Sequence, residues 1–231
     1  GGKEVTKVCK QLGKEPKFVT SPSGIKSRYT DKETAEIFTM VMSGRINKTI
    51  VQMLQKNGIN AIGLSGVDAK VIEADRKKKL LIVNEKGRKQ AIDGGYTGKI
   101  KNVNSEFIKL LLKQGLTPVI SPIAISEESE FLNVDGDRAA AYVAGSVGSD
   151  KVLFITNVDG LLMDDKVVPK LTLAEAKEIR PKIGPGMEKK ILASTEALDM
   201  GVKQAFIANG QKENPISSAI AHDNCTVIEH E

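Results

Sequence analysis

Apolar residues follow two rhythms along this chain. Short apolar runs at residues 61–64, 117–120, 152–156, 204–208 and 226–228 have the length and the flanking turn residues of buried strands. Between them the apolar positions recur at helical spacing. Val5, Val8 and Leu12 mark a first helix, and Thr30 followed by Glu33 reads as a capping box opening a long helix to about Gln55. Thr172 with Glu175 opens a shorter helix. Asn104 and Ser105 cap another that ends at Gly115, where glycine supplies the left-handed residue before the next strand. Further helices are expected over residues 138–147 and 187–200. Repeated strand–helix–strand alternation predicts an α/β protein, a three-layer αβα sandwich with a mostly parallel central sheet covered on both faces.

Residues 70–103 break the rhythm. Short alternating runs at 71–76, 80–83 and 96–103 are separated by turn residues and predict a β-ribbon excursion from the sheet. No repeat, low-complexity tract or Pro-rich linker marks a border, so a division into two lobes, 1–147 and 148–231, is expected on topology alone. The chain opens on Gly1-Gly2 without a methionine and enters a helix at once, so an upstream segment is expected.

Composition narrows the classes. The 231 residues are 40% hydrophobic and 27% charged, and the hydrophobic runs are short and interrupted. Neither a membrane span nor a secretory signal is indicated, and a cytoplasmic location is expected. Cys9 and Cys225 lie at opposite ends without metal-ligand spacing, so no zinc site or disulfide framework is read and no protein-held metal centre is expected. His222 and His230 read as surface residues. A formal net charge of +5 suits an anionic ligand or partner. Nucleic acid is disfavoured, because aromatics make up 4% and no RNA- or DNA-binding pattern is present.

Three segments could carry chemistry. Asn133-Val134-Asp135-Gly136-Asp137 follows an apolar approach and runs into a helix, a strand-to-helix turn of the kind that puts side chains at the carboxyl edge of a sheet. A capped turn reads equally well, whereas a calcium loop lacks its downstream ligands. Ile155-Thr156-Asn157-Val158-Asp159-Gly160-Leu161-Leu162 is a strand spilling into a glycine loop, followed by a tight turn at Asp164-Asp165. Gly184-Pro185-Gly186-Met187-Glu188-Lys189-Lys190 is a glycine loop opening a helix, whose free N–H groups suit a phosphate that Lys190 could reach. A plain structural turn fits that loop too, and it is not a Walker A loop.

In this order the three segments resemble the N-V-N-A-D, S-D-V-x-G and G-G-M-x-x-K motifs of the amino-acid kinase family, in its N-acetylglutamate kinase branch, over essentially the whole chain. The resemblance implies ATP as phosphoryl donor with Mg²⁺ held mainly by phosphates and water, and in-line transfer to a side-chain carboxylate without a phosphoenzyme. It implies that Lys190 stabilises charge near the β–γ bridging oxygen and that Asp137 holds the catalytic lysines. Gly1, Gly2, Arg28 and Asn133 would bind the acceptor in the first lobe. Asn157, Val158, Asp159, Gly160, Leu162, Gly184, Gly186 and Met187 would cradle the nucleotide in the second. The resemblance further implies an N-terminal strand and a lysine loop upstream of Gly1, neither of which is in this sequence. Asn157 also departs from the usual aspartate. A homodimer built on the helix after Thr30 is a family expectation, although Ile37, Met40, Val41, Ile46 and Ile50 also suit an ordinary core face.

The acceptor end departs further. Gly24-Ile25-Lys26-Ser27-Arg28-Tyr29-Thr30-Asp31 and Gly94-Gly95-Tyr96-Thr97-Gly98-Lys99-Ile100 look like the archaeal and thermophile family members that phosphorylate aminoadipate or glutamate attached to the acidic carrier protein LysW, in lysine and arginine biosynthesis. Lys26, Arg76, Lys77, Lys78, Lys79 and Lys99, with Lys86, Arg88 and Lys89 nearby, would then steer that carrier onto the pocket. A solvated hairpin is the alternative for these charges. Phosphorylation of free acetylglutamate, and a non-catalytic regulator on the same fold, are the rival functions.

Overall fold

The computed structural model describes residues 1–22, 24, 26–184 and 186–231; Ser23, and Ile25 and Pro185 of the motifs above, lie outside the described residues. It forms two compact units, Gly1–Gly136 and Asp137–Glu231. They part at the start of the helix expected over 138–147 and not at its end.

The first unit begins with α1 (Gly2–Gln11), which buries Val5 and Cys9 against Ile37, Phe38, Val41 and Ile123. Two short strands follow, β1 (Phe18–Thr20) and β2 (Lys26–Arg28). The long helix is present as α2 (Lys32–Thr39), a π-helical stretch Met40–Ile46 and α3 (Asn47–Lys56). Its cap is Asp31, whose carboxylate accepts from Thr34 N–H at 2.9 Å, and not the expected Thr30. Thr30 is unavailable because it is buried and its backbone and hydroxyl serve other segments, described below. On this helix Ile37 and Val41 are core residues, whereas Met40 and Ile50 are exposed.

Next come β3 (Ala61–Ser65), β4 (Ile72–Arg76), β5 (Lys79–Val83), β6 (Lys89–Asp93), β7 (Gly98–Val103), α4 (Ser105–Lys113), β8 (Thr117–Ser121), β9 (Ile123–Ile125) and β10 (Phe131–Asn133). β3 and β8 pair in parallel, and α4 carries the expected Asn104 cap. The expected ribbon is larger than its sequence signal. β5 and β6 form an antiparallel hairpin that recruits β1 and β2 into a four-stranded sheet, while β4 and β7 join β9 and β10 in a second. The β1/β2 hairpin was not legible because its alternation lasts only three residues on each side.

The second unit contains α5 (Gly136–Val147), β11 (Lys151–Thr156), β12 (Leu162–Met163), β13 (Lys166–Val167), β14 (Lys170–Thr172), α6 (Leu173–Ile179), α7 (Met187–Asp199), β15 (Gln204–Asn209), α8 (Pro215–Ile220) and β16 (Thr226–Glu229). β11/β15 and β14/β16 are parallel and β15/β16 antiparallel, so this sheet is mixed. Both faces of β15 are buried, with strict alternation. Ala205 and Ile207 of β15 pack with Ile191 and Leu198 of α7, whereas Phe206 and Ala208 pack with Ala219 of α8. The Thr172–Glu175 capping box forms as expected, with both reciprocal hydrogen bonds. Asp164 and Asp165 both take left-handed conformations in the two-residue β12/β13 turn, as a type I′ hairpin requires.

Candidate active site

In the second unit two helix N-termini supply the central pair. Asp137 stands in the first turn of α5 and Lys190 in the first turn of α7. Lys190 Nζ donates to both carboxylate oxygens of Asp137 at 2.9 Å, with the side chains 16% and 27% exposed. One position on, Arg138 makes a two-pronged ion pair with Glu196 of α7 at 2.6 and 2.8 Å. This second bond braces the same two helices and fixes the spacing at which the first pair meets.

The glycine loop after β11 is tied down from behind. Leu161 N–H donates to the buried Thr226 hydroxyl at 2.8 Å, and that hydroxyl donates to Val168 O at 2.7 Å. Gly160 is buried at this crossing, where a Cβ would come within 2.5 Å of Thr226 Oγ1. Asp159 accepts from Asn209 Nδ2 and pairs with Lys212 Nζ, each at 2.9 Å, and lies 3.4 Å from Asn224 Nδ2. Hydrogen bonding to Asn209 and to Lys212 holds its carboxyl below the ordinary value of 3.8. Asn157 is exposed, with its Oδ1 accepting from Thr156 Oγ1 at 3.4 Å, Val158 is half-buried, and Leu162 is exposed in β12. Gly184 O accepts Glu188 N–H at 3.2 Å, Gly186 is the N-cap of α7 without a side-chain cap, and Met187 packs on the core. The N–H groups that open α7 thus meet no capping side chain at that position, the usual arrangement where an anion is to be received.

In the first unit Asn133 ends β10. Its Nδ2 donates to Thr30 Oγ1 at 3.1 Å and its N–H to Tyr96 O at 2.8 Å, while Tyr96 N–H donates to Thr30 O at 2.7 Å. Thr30, Tyr96 and Asn133 therefore form one knot. Gly1 is the N-cap of α1, and Arg28 Nη2 donates to Gly2 O and, at 2.7 Å, to Thr6 Oγ1. Burial lowers the Arg28 pKa, and its buried Nε meets no hydrogen-bond partner among the described residues.

Of the basic residues expected to face a carrier, Lys78, Lys79 and Lys99 are exposed, Lys77 is half-buried, and Lys26 lies 5.4 Å from the Phe18 ring. Arg76 differs from them. Its Nη1 meets Glu130 at 3.1 and 3.2 Å, its Nε donates to Gly95 O at 2.8 Å, and its guanidinium stacks 4.2 Å from the Tyr96 ring. Burial works against its charge, but Glu130, Tyr96 and Asp93 together offset this and the net pKa shift is upward.

Sequence reasoning missed Thr30 as a buried tie, Thr226, and the Asn209–Lys212 turn. The last had a signal: residues 204–208 run into Asn209-Gly210 just as residues 152–156 run into the loop at Gly160. Two strands that pair in parallel end at the same edge, so their loops meet.

An ammonium clamped by a carboxylate between two helix N-termini, on a sheet whose strand β15 is buried on both faces, defines an α/β protein equipped to handle an anion. The chain belongs to the amino acid kinase family, whose description it matches over residues 1–209. It is 48% identical over 230 residues to the [LysW]-aminoadipate/[LysW]-glutamate kinase of Sulfolobus acidocaldarius, covering 99% of this chain and 87% of that protein. It is 95% identical over 231 residues, 100% of this chain and 86% of the relative, to a Nitrosopumilus maritimus (strain SCM1) protein to which the same name is provisionally given. The fold is shared with smu.665 of Streptococcus mutans UA159, at a TM-score of 0.77 and 22% identity, covering 100% of this chain and 84% of that one.

Proposed function

We propose that this protein transfers the γ-phosphoryl group of ATP to the side-chain carboxylate of aminoadipate or glutamate carried on LysW, as the names of its relatives describe for them. A carboxylate oxygen attacks the γ-phosphorus, the bond to the β–γ bridging oxygen breaks, and ADP and an acyl phosphate result. No proton moves, so no general base is required, and catalysis rests on positioning and charge stabilisation. The Lys190–Asp137 pair carries this reading, because Asp137 aims the ammonium without removing it from solvent. Lys190 would meet the charge that grows on the bridging oxygen.

The loop at residues 157–162 and the start of α7 would hold the nucleotide in the second unit. Asn133, Arg28, Gly1 and Gly2 would hold the acceptor in the first, and Lys26, Lys77, Lys78, Lys79 and Lys99 would attract the carrier. Mg²⁺ would supply charge neutralisation between the phosphates; among the described residues no group of three acidic, histidine or cysteine side chains converges, so phosphate oxygens and water would make most of its shell. The reading extends to a cytoplasmic homodimer serving lysine and arginine biosynthesis. Among the described residues no helix is long and apolar enough to cross a membrane.

The test is trapping of the acyl phosphate with hydroxylamine, comparing LysW-aminoadipate, LysW-glutamate and free N-acetylglutamate. The carrier-linked acceptors are expected to be used with the higher kcat/KM. Equal or better use of free N-acetylglutamate would overturn the assignment.

A further inference from the structure

We infer that Arg76 is a positioning residue for the acceptor site and not one of the cations that attract the carrier. The inference rests on the reading of Asn133 as an acceptor-binding residue. Sequence alone groups Arg76 with Lys77, Lys78 and Lys79 as one basic run. In the fold its charge is already matched: Glu130 accepts two hydrogen bonds from Nη1, and Asp93 Oδ1 lies 3.9 Å from Nη2. A guanidinium neutralised on its own surface contributes little to long-range steering.

What Arg76 holds is the turn between β6 and β7. Its Nε binds Gly95 O and its plane covers the Tyr96 ring. The turn is compressed on two further sides. A Cβ on Gly94 would overlap Lys77 O, and one on Gly95, at φ +59°, would meet Thr30 O at 2.4 Å. Tyr96 then passes the constraint on: its N–H fixes Thr30 O, its carbonyl fixes Asn133 N–H, and the Thr30 hydroxyl fixes the Asn133 amide. Five contacts lead from the guanidinium to the group proposed to meet the acceptor. All of them lie within the first unit.

Geometry makes the assignment testable without removing charge. Lysine has a single ammonium and cannot bind Gly95 O, pair with Glu130 and stack on Tyr96 together. Arg76→Lys is therefore expected to raise KM for LysW-aminoadipate about tenfold, the loss expected for a hydrogen bond to a charged group. The rise should persist at high salt, with KM for ATP unchanged. Glu130→Gln decides between the readings by sign. It frees a positive charge, so a docking cation predicts a lower carrier KM at low salt, whereas a brace predicts a severalfold higher one at every salt concentration. If Arg76→Lys fails to fold, Glu130→Gln alone still decides.

Arg76→Lys without effect, a lower KM for Glu130→Gln, or losses that vanish above about 0.5 M salt, where the Debye length falls below roughly 5 Å, would each overturn the inference. Asn133→Ala separates this from the underlying reading. An unchanged acceptor KM in that variant removes Asn133 from the site, whereas a raised one combined with a silent Arg76→Lys defeats the brace alone.

Discussion

Replacing Lys190 with methionine keeps the bulk of the side chain and deletes its charge. The ammonium lies 2.9 Å from both oxygens of Asp137, a separation at which two unit charges attract by about 6 kcal/mol at an effective dielectric constant of about 20. Partial exposure and desolvation reduce this, and hydrogen bonds to charged groups contribute about 1.5–3 kcal/mol net. That is the scale on which Asp137 fixes Lys190. The transferred phosphoryl group makes the larger demand, because removing one preorganised donor at the site of developing charge costs about 10²–10³ in kcat. Lys190→Met is thus expected to lose that much kcat in the hydroxamate assay, with KM for the carrier-linked acceptor within about threefold of the parent. Asp137→Asn should lose about ten- to a hundredfold, since the ammonium stays but is no longer aimed. If Asp137 acts through Lys190, the double variant is no slower than Lys190→Met alone. Losses that multiply, or a Lys190→Met enzyme at full rate, would refute the role assigned to the pair.

Two further outcomes follow from the loop after β11. Gly160→Ala places a methyl against Thr226 Oγ1, Thr226 N and Val167 Cγ1 at 2.5–3.1 Å; it should destabilise by about 1–3 kcal/mol, the cost of overpacking, and raise KM for ATP, as thermal unfolding and kinetics would show. Because the Asp159 pKa is depressed in the fold, its contribution to stability is present above the ordinary carboxylate value of 3.8 and is lost as pH falls through the lower folded value. Asp159→Asn should therefore be less stable than the parent at neutral pH in urea unfolding, and that gap should close below pH 3.8; a gap independent of pH would contradict the ion pair with Lys212.

The elements with many independent signals were legible. Strands β3, β8, β11, β15 and β16 were each read within a residue or two, because an apolar run with turn residues at both ends leaves few alternatives. The Thr172 capping box was equally local. Thr30 carries the same S/T-x-x-E pattern and does not cap, because tertiary contacts with Tyr96 and Asn133 claim its hydroxyl and carbonyl. The local difference is Asp31, itself a good N-cap, where Thr172 is followed by Leu173. Tertiary contacts also divide the basic run. Arg76 and Lys79 are three positions apart and chemically alike in a sequence, yet one stacks under Tyr96 beside Glu130 and the other faces solvent. Lys190 and Asp137 were paired through family motifs 53 positions apart, a distance no local rule spans.

The two kinds of fixing in this protein answer different needs. Each unit has a loop held in part by a buried threonine, Thr30 1% and Thr226 0% exposed, beside the ion pairs of Arg76 with Glu130 and of Asp159 with Lys212. A threonine has few χ1 options once packed, so the Thr226 hydroxyl holds the backbone of Leu161 and Val168, and the Thr30 hydroxyl the Asn133 side-chain amide, at little further entropic cost. The groups proposed to meet phosphate are charged and partly exposed, as at Lys190 with 16%. Reversing the arrangement would defeat it. Were the loops tied by ion pairs alone, an incoming triphosphate and an anionic acceptor would compete for those cations and loosen the scaffold they need. Under the proposed function, the neutral ties do not respond to the charge of the substrate, so Thr226 keeps the loop at Gly160 and Thr30 keeps Asn133 in place while Lys190 would exchange part of its contact with Asp137 for a phosphoryl oxygen.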